Sequence, residues 1–202
     1  MSGIASYATT AQLAQRINRG EGWTDTEEAV LAELLSDVSR LIEEYTGRRY
    51  WDSAAGTVRY FTAASAAVLF VDDATTITAV ETDEDGDRTY EHTWAATDYD
   101  KLPYNASELN KPYTRLRVTP TGNYSFPAGV PKGVKITGTW GWPAVPALVR
   151  EMTLLEASRL WAQGKSPSGV VQSPELGTFM VEPELHPQTM ARLNILKRVR
   201  VR

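Results

Sequence analysis

The stretch Gly133-Val-Lys-Ile-Thr-Gly-Thr-Trp-Gly-Trp-Pro-Ala-Val-Pro146, with the segment Ala147 to Gln163 behind it, decides the fold. Val134, Ile136 and Thr139 suit a strand, Gly138 and Gly141 weaken or bend it, and Pro143 and Pro146 stop it and preset the backbone for a first helical turn. The stretch reads as a sheet handing over to a helix. In that helix Leu148, Val149, Met152, Leu154, Leu155, Ala157, Leu160 and Trp161, placed at about 100° per residue, fall on most of the circumference. Such a helix is covered on more than one side, either as the central helix of its own domain or by a neighbouring copy of the chain.

Towards the N-terminus the pattern is helical. Thr9 to Asn18 reads as a short helix, capped by Thr9 with Gln12 three positions on, with Leu13 and Ile17 on one face and Gly20 ending it. Thr24-Asp-Thr-Glu27 is a second capping box. Val30, Leu31, Leu34, Leu35, Val38, Leu41, Ile42 and Tyr45 follow at three- and four-residue steps until Gly47, which predicts a helix over Asp25 to Tyr45.

Between the two long helices the period changes to two. Thr57–Phe61, Val68–Val71, Thr76–Val80, Arg88–Trp94, Leu116–Val118 and Val134–Thr139 are short β-type runs, with Asp72-Asp73 read as a strand end and Lys101 to Thr114 as an exposed irregular loop. Beyond the central helix, Gly164–Gly169 is a break, and Val170 to Val181 is extended, with a hairpin around Gly177. Pro187 to Lys197 forms a last helix with Met190, Leu193 and Leu196 on one side. The end, Arg198-Val-Arg-Val-Arg202, alternates with period two, as an extended arm or an untethered tail does. The expected fold is α+β: a small helical bundle core with a mostly antiparallel β-sheet insertion. Residues 1–56 supply the N-terminal helices, 57–140 the insertion, and 141–202 the C-terminal helices and basic tail.

At 202 residues and 42% hydrophobic content the chain can bury a real core. No apolar run approaches the ~20 residues of a membrane span, and the N-terminus lacks the regions of a signal peptide, so a soluble product of the cytosol is expected. There is no cysteine, which excludes disulfides, thiolate metal sites and cysteine nucleophiles. His92 and His186 lie far apart in sequence without a ligand pattern around either. Asp83-Glu-Asp-Gly-Asp87, with Glu91, invites a calcium reading. It lacks the spacing of a 12-residue calcium loop, and a solvated Asp-Gly hairpin turn explains it better. No phosphate loop, nucleophile elbow or metalloprotease signature occurs, so the sequence offers no catalytic residue, metal site or cofactor.

The formal charge of −4 is uneven: Arg192, Lys197, Arg198, Arg200 and Arg202 carry no acidic neighbour from 192 onward, and the rest holds 16 basic against 25 acidic residues, or −9. A basic end on an acidic body points to an acidic partner surface or nucleic acid, or simply complements a helix dipole.

Leu41-Ile-Glu-Glu-Tyr-Thr-Gly-Arg-Arg-Tyr50, then a β insertion, then Gly138-Thr-Trp-Gly-Trp-Pro-Ala-Val-Pro146 and an apolar helix resemble the head-to-tail adaptor (connector) proteins of long-tailed bacteriophages. Val71-Asp-Asp73 to Ile77-Thr-Ala-Val80, Asp98-Tyr99 and Ser166-Pro-Ser-Gly-Val170 resemble the versions in phages of actinobacteria. The resemblance spans about residues 24 to 200 and rests on the order of the pieces. It implies a non-enzymatic virion protein of the neck, assembled in the host cytoplasm. The implied assembly is a homo-oligomeric ring, typically of twelve copies, beneath the portal protein. Such a ring joins a downstream stopper or tail protein and passes genomic DNA without sequence-specific binding. It makes Arg192, Lys197, Arg198, Arg200 and Arg202 candidates for the portal contact. Trp140, Trp142, Leu154 and Trp161 are candidates for packing between subunits. A stopper or tail terminator, a ligand-binding β module and a DNA-binding protein are the rival expectations.

Overall fold

The computed structural model describes residues 6–17, 24–164, 170–173, 177–180 and 185–198. It divides into two compact units, one of residues 49–144 and one built from described residues of 4–48 and 145–202.

The helical unit begins with α1 (Thr10–Arg16) and α2 (Asp25–Thr46), each opened by a complete capping box: Thr9 with Gln12, and Thr24 with Glu27. Each box satisfies backbone donors that have no partner inside the helix. Leu31, Leu35, Val38 and Ile42 form the buried stripe of α2, and Gly47 ends it at φ 66°, the left-handed cap for which glycine is suited. Asn18 and Gly20, expected at the end of α1, lie outside the described residues.

The third helix, α3 (Ala147–Gly164), packs on α1, on α2 and on α4 (Pro187–Leu193). Val149, Met152, Thr153, Leu154, Glu156 and Ala157 are buried, an arc of roughly 200° at 100° per residue. The helix is thus the middle of its own unit. Pro187 stands in the first turn of α4, where a missing N–H costs nothing, and a 3-10 turn (Asn194–Leu196) follows in place of the continuous helix expected to Lys197. Strands β7 (Val170–Ser173) and β8 (Gly177–Met180) pair antiparallel, as expected for that segment, and Val181 lies outside the described residues.

The β unit is a six-stranded antiparallel sheet. Its strands are β1 (Thr57–Phe61), β2 (Val68–Thr82), β3 (His92–Thr93), β4 (Tyr99–Leu102), β5 (Tyr113–Val118) and β6 (Val134–Trp140). They run in the order β1-β6-β2-β5-β4, with β3 beside β2. The core comprises Leu69, Val71, Ile77, Val80, Trp94, Leu116, Phe126, Val134, Ile136 and Trp140. The fold is α+β.

The sheet departs from expectation at four places. Val68–Val71 and Thr76–Val80 are one 15-residue strand, whose register shifts between Phe70 and Ala74, Ala74 and Thr76, and Ile77 and Ala79. Bulges bend a strand without ending it. The carboxylates that seemed to end it have partners: Asp72 meets Arg59 at 2.6 Å, and buried Asp73 accepts from Trp142 Nε1 at 3.0 Å. The expected run Arg88–Trp94 contributes only His92–Thr93. Lys101 and Leu102 of β4 and Tyr113 and Thr114 of β5 fall in the stretch expected as loop, leaving 103–112 as the irregular connection, with Ala106 buried at its centre.

Candidate functional site

In the helical unit the C-terminal segment is fastened to the end of α2. The Tyr45 hydroxyl donates to Asn194 Oδ1 at 2.6 Å and Arg48 Nε donates to the Leu196 carbonyl at 2.8 Å. The backbone N–H of Arg198 donates to the Thr46 carbonyl at 2.8 Å, and the Lys197 ammonium stands 4.5 Å from the Tyr45 ring centroid, a cation over an aromatic face. Arg192 is exposed in the last turn of α4, and Ile195 is 80% exposed between Arg192 and Lys197. Three of the five basic candidates therefore sit on or beside one fastened segment; Arg200 and Arg202 lie outside the described residues.

What holds α4 is a buried carboxylate that the sequence reading passed over. Glu156, 1% exposed on α3, accepts from the Thr189 hydroxyl and from the His186 N–H at 3.2 Å through Oε1, and from Arg159 Nε at 2.8 Å through Oε2. Those bonds fix the start of α4, and with it the direction in which Arg192 projects. The available signal is an acid set among Leu154, Leu155 and Ala157, on the apolar part of the helix, where a carboxylate is buried only when hydrogen-bonded.

Three of the four candidates for packing between subunits are covered by their own chain. Trp140 is 1% exposed, donates Nε1 to the Thr57 carbonyl at 2.8 Å, and has the Arg59 guanidinium 4.7 Å from its ring centroid. Trp142 packs on Tyr50 with ring centroids 5.3 Å apart and is 7% exposed; Leu154 is 6% exposed. Trp161 alone of the four is partly exposed.

Between β2 and β3 the acidic turn is organised by one side chain. Asp83 accepts from the Gly86 N–H at 2.7 Å through Oδ1 and from the Arg88 N–H at 2.9 Å through Oδ2, so both oxygens serve the loop. Carboxylates of Asp83, Asp85, Asp87 and Glu91 come within 4.8 Å of one another. The two histidines stay apart in role: His92 stacks on Tyr124 at 4.9 Å, and His186 caps α4, accepting from the Gln188 N–H.

Desolvation of Asp83 acts to raise its carboxyl. The N–H groups of Gly86 and Arg88, the Asp85 side chain and the Arg88 charge outweigh it and hold the group below its ordinary 3.8. A carboxyl depressed by folding contributes stability above its unfolded value, and that contribution is lost as pH falls through the lower folded value. Asp83→Asn is therefore expected to lower the thermal midpoint at pH 7 and to flatten its fall below about pH 4. Melting curves at pH 7 and across pH 5 to 2 check both; a parallel fall in both proteins would contradict the assignment.

Among the described residues no helix is long and apolar enough to cross a membrane. No protein-family model and no curated protein matches the sequence. A chain of a solved structure, "Virion of native gene transfer agent (GTA) particle", matches with a TM-score of 0.55 at 20% identity, over 95% of this chain and 90% of that one. At that identity the likeness is one of fold, shared along nearly the whole of both chains.

Proposed function

We propose that this chain is a structural component of a phage-like virion, and within it a ring-forming adaptor between the portal and the tail. The carrying observation is the shared fold with a chain of a gene transfer agent virion, along nearly the full length of both. The order of pieces seen in head-to-tail adaptors supports the finer role. So does the charge: a ring around passing DNA must not neutralise phosphates, and a body of net −9 apart from its basic end avoids that. The fastened segment carrying Arg192, Lys197 and Arg198 is the surface offered to the portal.

The test mixes the purified chain with a candidate portal ring and measures mass by light scattering after size separation. The expected result is association in a fixed ratio, weakened at least about tenfold when Arg192 and Lys197 are both changed to Glu. Charge reversal is preferable to deleting residues 192–202, because Leu193 is fully buried. Binding to a downstream neck or tail protein but not to the portal would assign a stopper or tail-terminator role instead. A monomer that ignores both and binds a small ligand saturably would overturn the reading.

A further inference from the structure

The outer face of the sheet at β2, β5 and β4 carries a surface unlike the rest of the acidic body. Directly opposed residues of an antiparallel ladder share a face. Phe70 opposes Arg115, which opposes Leu102; Val68 opposes Arg117, which opposes Asp100. These two rows form one surface. Phe70 is 53% exposed and Tyr104 58% exposed, with the Arg115 guanidinium 6.0 Å from the Phe70 centroid and that of Arg117 5.7 Å from the Tyr104 centroid. Arg117 is further oriented by Asp100 Oδ2 at 3.3 Å and by the Tyr104 hydroxyl. Residues 99–118 hold Lys101, Lys111, Arg115 and Arg117 against Asp100 and Glu108, a net of +2.

The acidic turn of the same unit is its complement. Residues 84–91 hold Glu84, Asp85, Asp87 and Glu91 against Arg88, a net of −3, and all four acids are exposed. The Asp83 bonds and the left-handed backbone of Gly86 (φ 84°) and Arg88 (φ 75°) hold that charge on a fixed loop. Within the chain neither Arg115 nor Arg117 is paired with a carboxylate of this turn: Arg115 lies over Phe70, and the ion pair of Arg117 is with Asp100.

We propose that the Phe70–Arg115–Arg117 face docks the acidic turn, residues 84–91, of a second copy of this chain. The apolar rings give the contact its desolvated centre and the flat, pre-oriented guanidiniums its register. A surface that takes a different surface of the next copy is a heterologous contact, the kind that closes into rings. This inference rests on the ring-forming reading for its copies lying side by side. A nucleic-acid backbone is the less favoured occupant, because Asp100 stands on the same face and already engages Arg117.

The test is self-association of the full chain without portal, by sedimentation over a range of concentration and salt. Arg115→Glu with Arg117→Glu makes both surfaces acidic; Glu84→Lys with Glu91→Lys makes both basic. Each variant alone is expected to self-associate at least about tenfold more weakly than the parent, and an equimolar mixture to recover the parent's affinity within about threefold. Recovery on mixing also shows that both variants are folded. Phe70→Ala, which keeps every charge, is expected to weaken association about fivefold with the same salt dependence. A parent that stays monomeric throughout, a mixture that fails to recover, or duplex DNA that competes for the Arg115 and Arg117 face overturns the proposal. Portal binding is scored separately with the unaltered chain, so failure here leaves the adaptor reading standing, and failure there leaves this contact standing.

Discussion

Gly141→Ala is expected to cost the β unit about 4 kcal/mol, a large fraction of the roughly 5–15 kcal/mol that holds an ordinary domain folded. Gly141 has φ 126°, a backbone conformation outside the left-handed helical well, which L residues occupy only at a cost of roughly 1–3 kcal/mol. A Cβ there would also overlap the backbone carbonyl of Trp51, and a carbonyl cannot step aside as a flexible side-chain tip can. The peptide is pinned on the other side as well. The N–H of Gly141 donates to the Asp73 carbonyl at 2.7 Å, and Trp142 Nε1 donates to the same residue's carboxylate. Relief of the overlap therefore breaks bonds that hold a buried aspartate. Gly56→Ala is the comparison: its φ is also positive, at 72°, but nothing lies within 4 Å of the added methyl, so the cost is about 1–2 kcal/mol from conformation alone. Denaturant unfolding followed by tryptophan fluorescence separates the two. Equal costs would show that the approach of Trp51 to Gly141 does not constrain the turn.

That contrast shows which parts of the fold were legible in the sequence. Thr24 with Glu27, Gly47 and Pro187 announce helix ends through local chemistry, because a cap is satisfied within four residues of the chain. The bend at Gly141 was legible as a bend. Its partner Trp51 was not, since it lies about 90 residues away in the chain, ahead of the neighbouring strand β1, and leaves no local trace. Asp72 and Asp73 illustrate the same point: a carboxylate inside an apolar run looks like a strand end until the sheet brings Arg59 of β1 and Trp142, just beyond β6, to it. Strand β4 was missed because Asp100 and Lys101 break the apolar pattern, and only pairing with Arg117 and Leu116 supplies the ladder. Of the candidate contacts, the basic C-terminal residues stand out in the sequence by their charge, and the resemblance to head-to-tail adaptors is what makes them portal candidates. Trp140 and Trp142 fit a core or a subunit interface equally well in the sequence, because tryptophan type does not reveal whether its N–H finds a partner inside.

Glu156→Leu is expected to release α4 while leaving α2 in place. The carboxylate serves three donors on two elements, and they differ in what they lose. Arg159 has a side chain 24% exposed and can turn to water. The Thr189 hydroxyl is fully buried, and the His186 N–H lies at the start of α4, part-buried, with Glu156 Oε1 as its acceptor. Leaving buried donors unmet costs about 1–3 kcal/mol each, so a total near 3 kcal/mol is expected, or roughly a hundredfold in the local opening equilibrium. Glu156→Gln keeps the shape and one acceptor but turns an amide N–H₂ towards Arg159, so its effect is intermediate, about 1–2 kcal/mol. Hydrogen exchange is the measurement: protection of the amides from Met190 to Leu193 falls by that factor, and the amides of the Leu31–Ile42 stripe keep theirs. A uniform loss across both helices would mean that Glu156 supports the whole unit and does not specifically position α4. The functional consequence separates the two cases further. Glu156→Leu removes none of Arg192, Lys197 or Arg198, yet it frees the helix that aims Arg192 and leads into the other two. If those residues make the portal contact from a fastened segment, portal association weakens in Glu156→Leu and recovers part of the way in Glu156→Gln. If they act only as a diffuse positive charge, association follows the net charge and is indifferent to whether α4 is held.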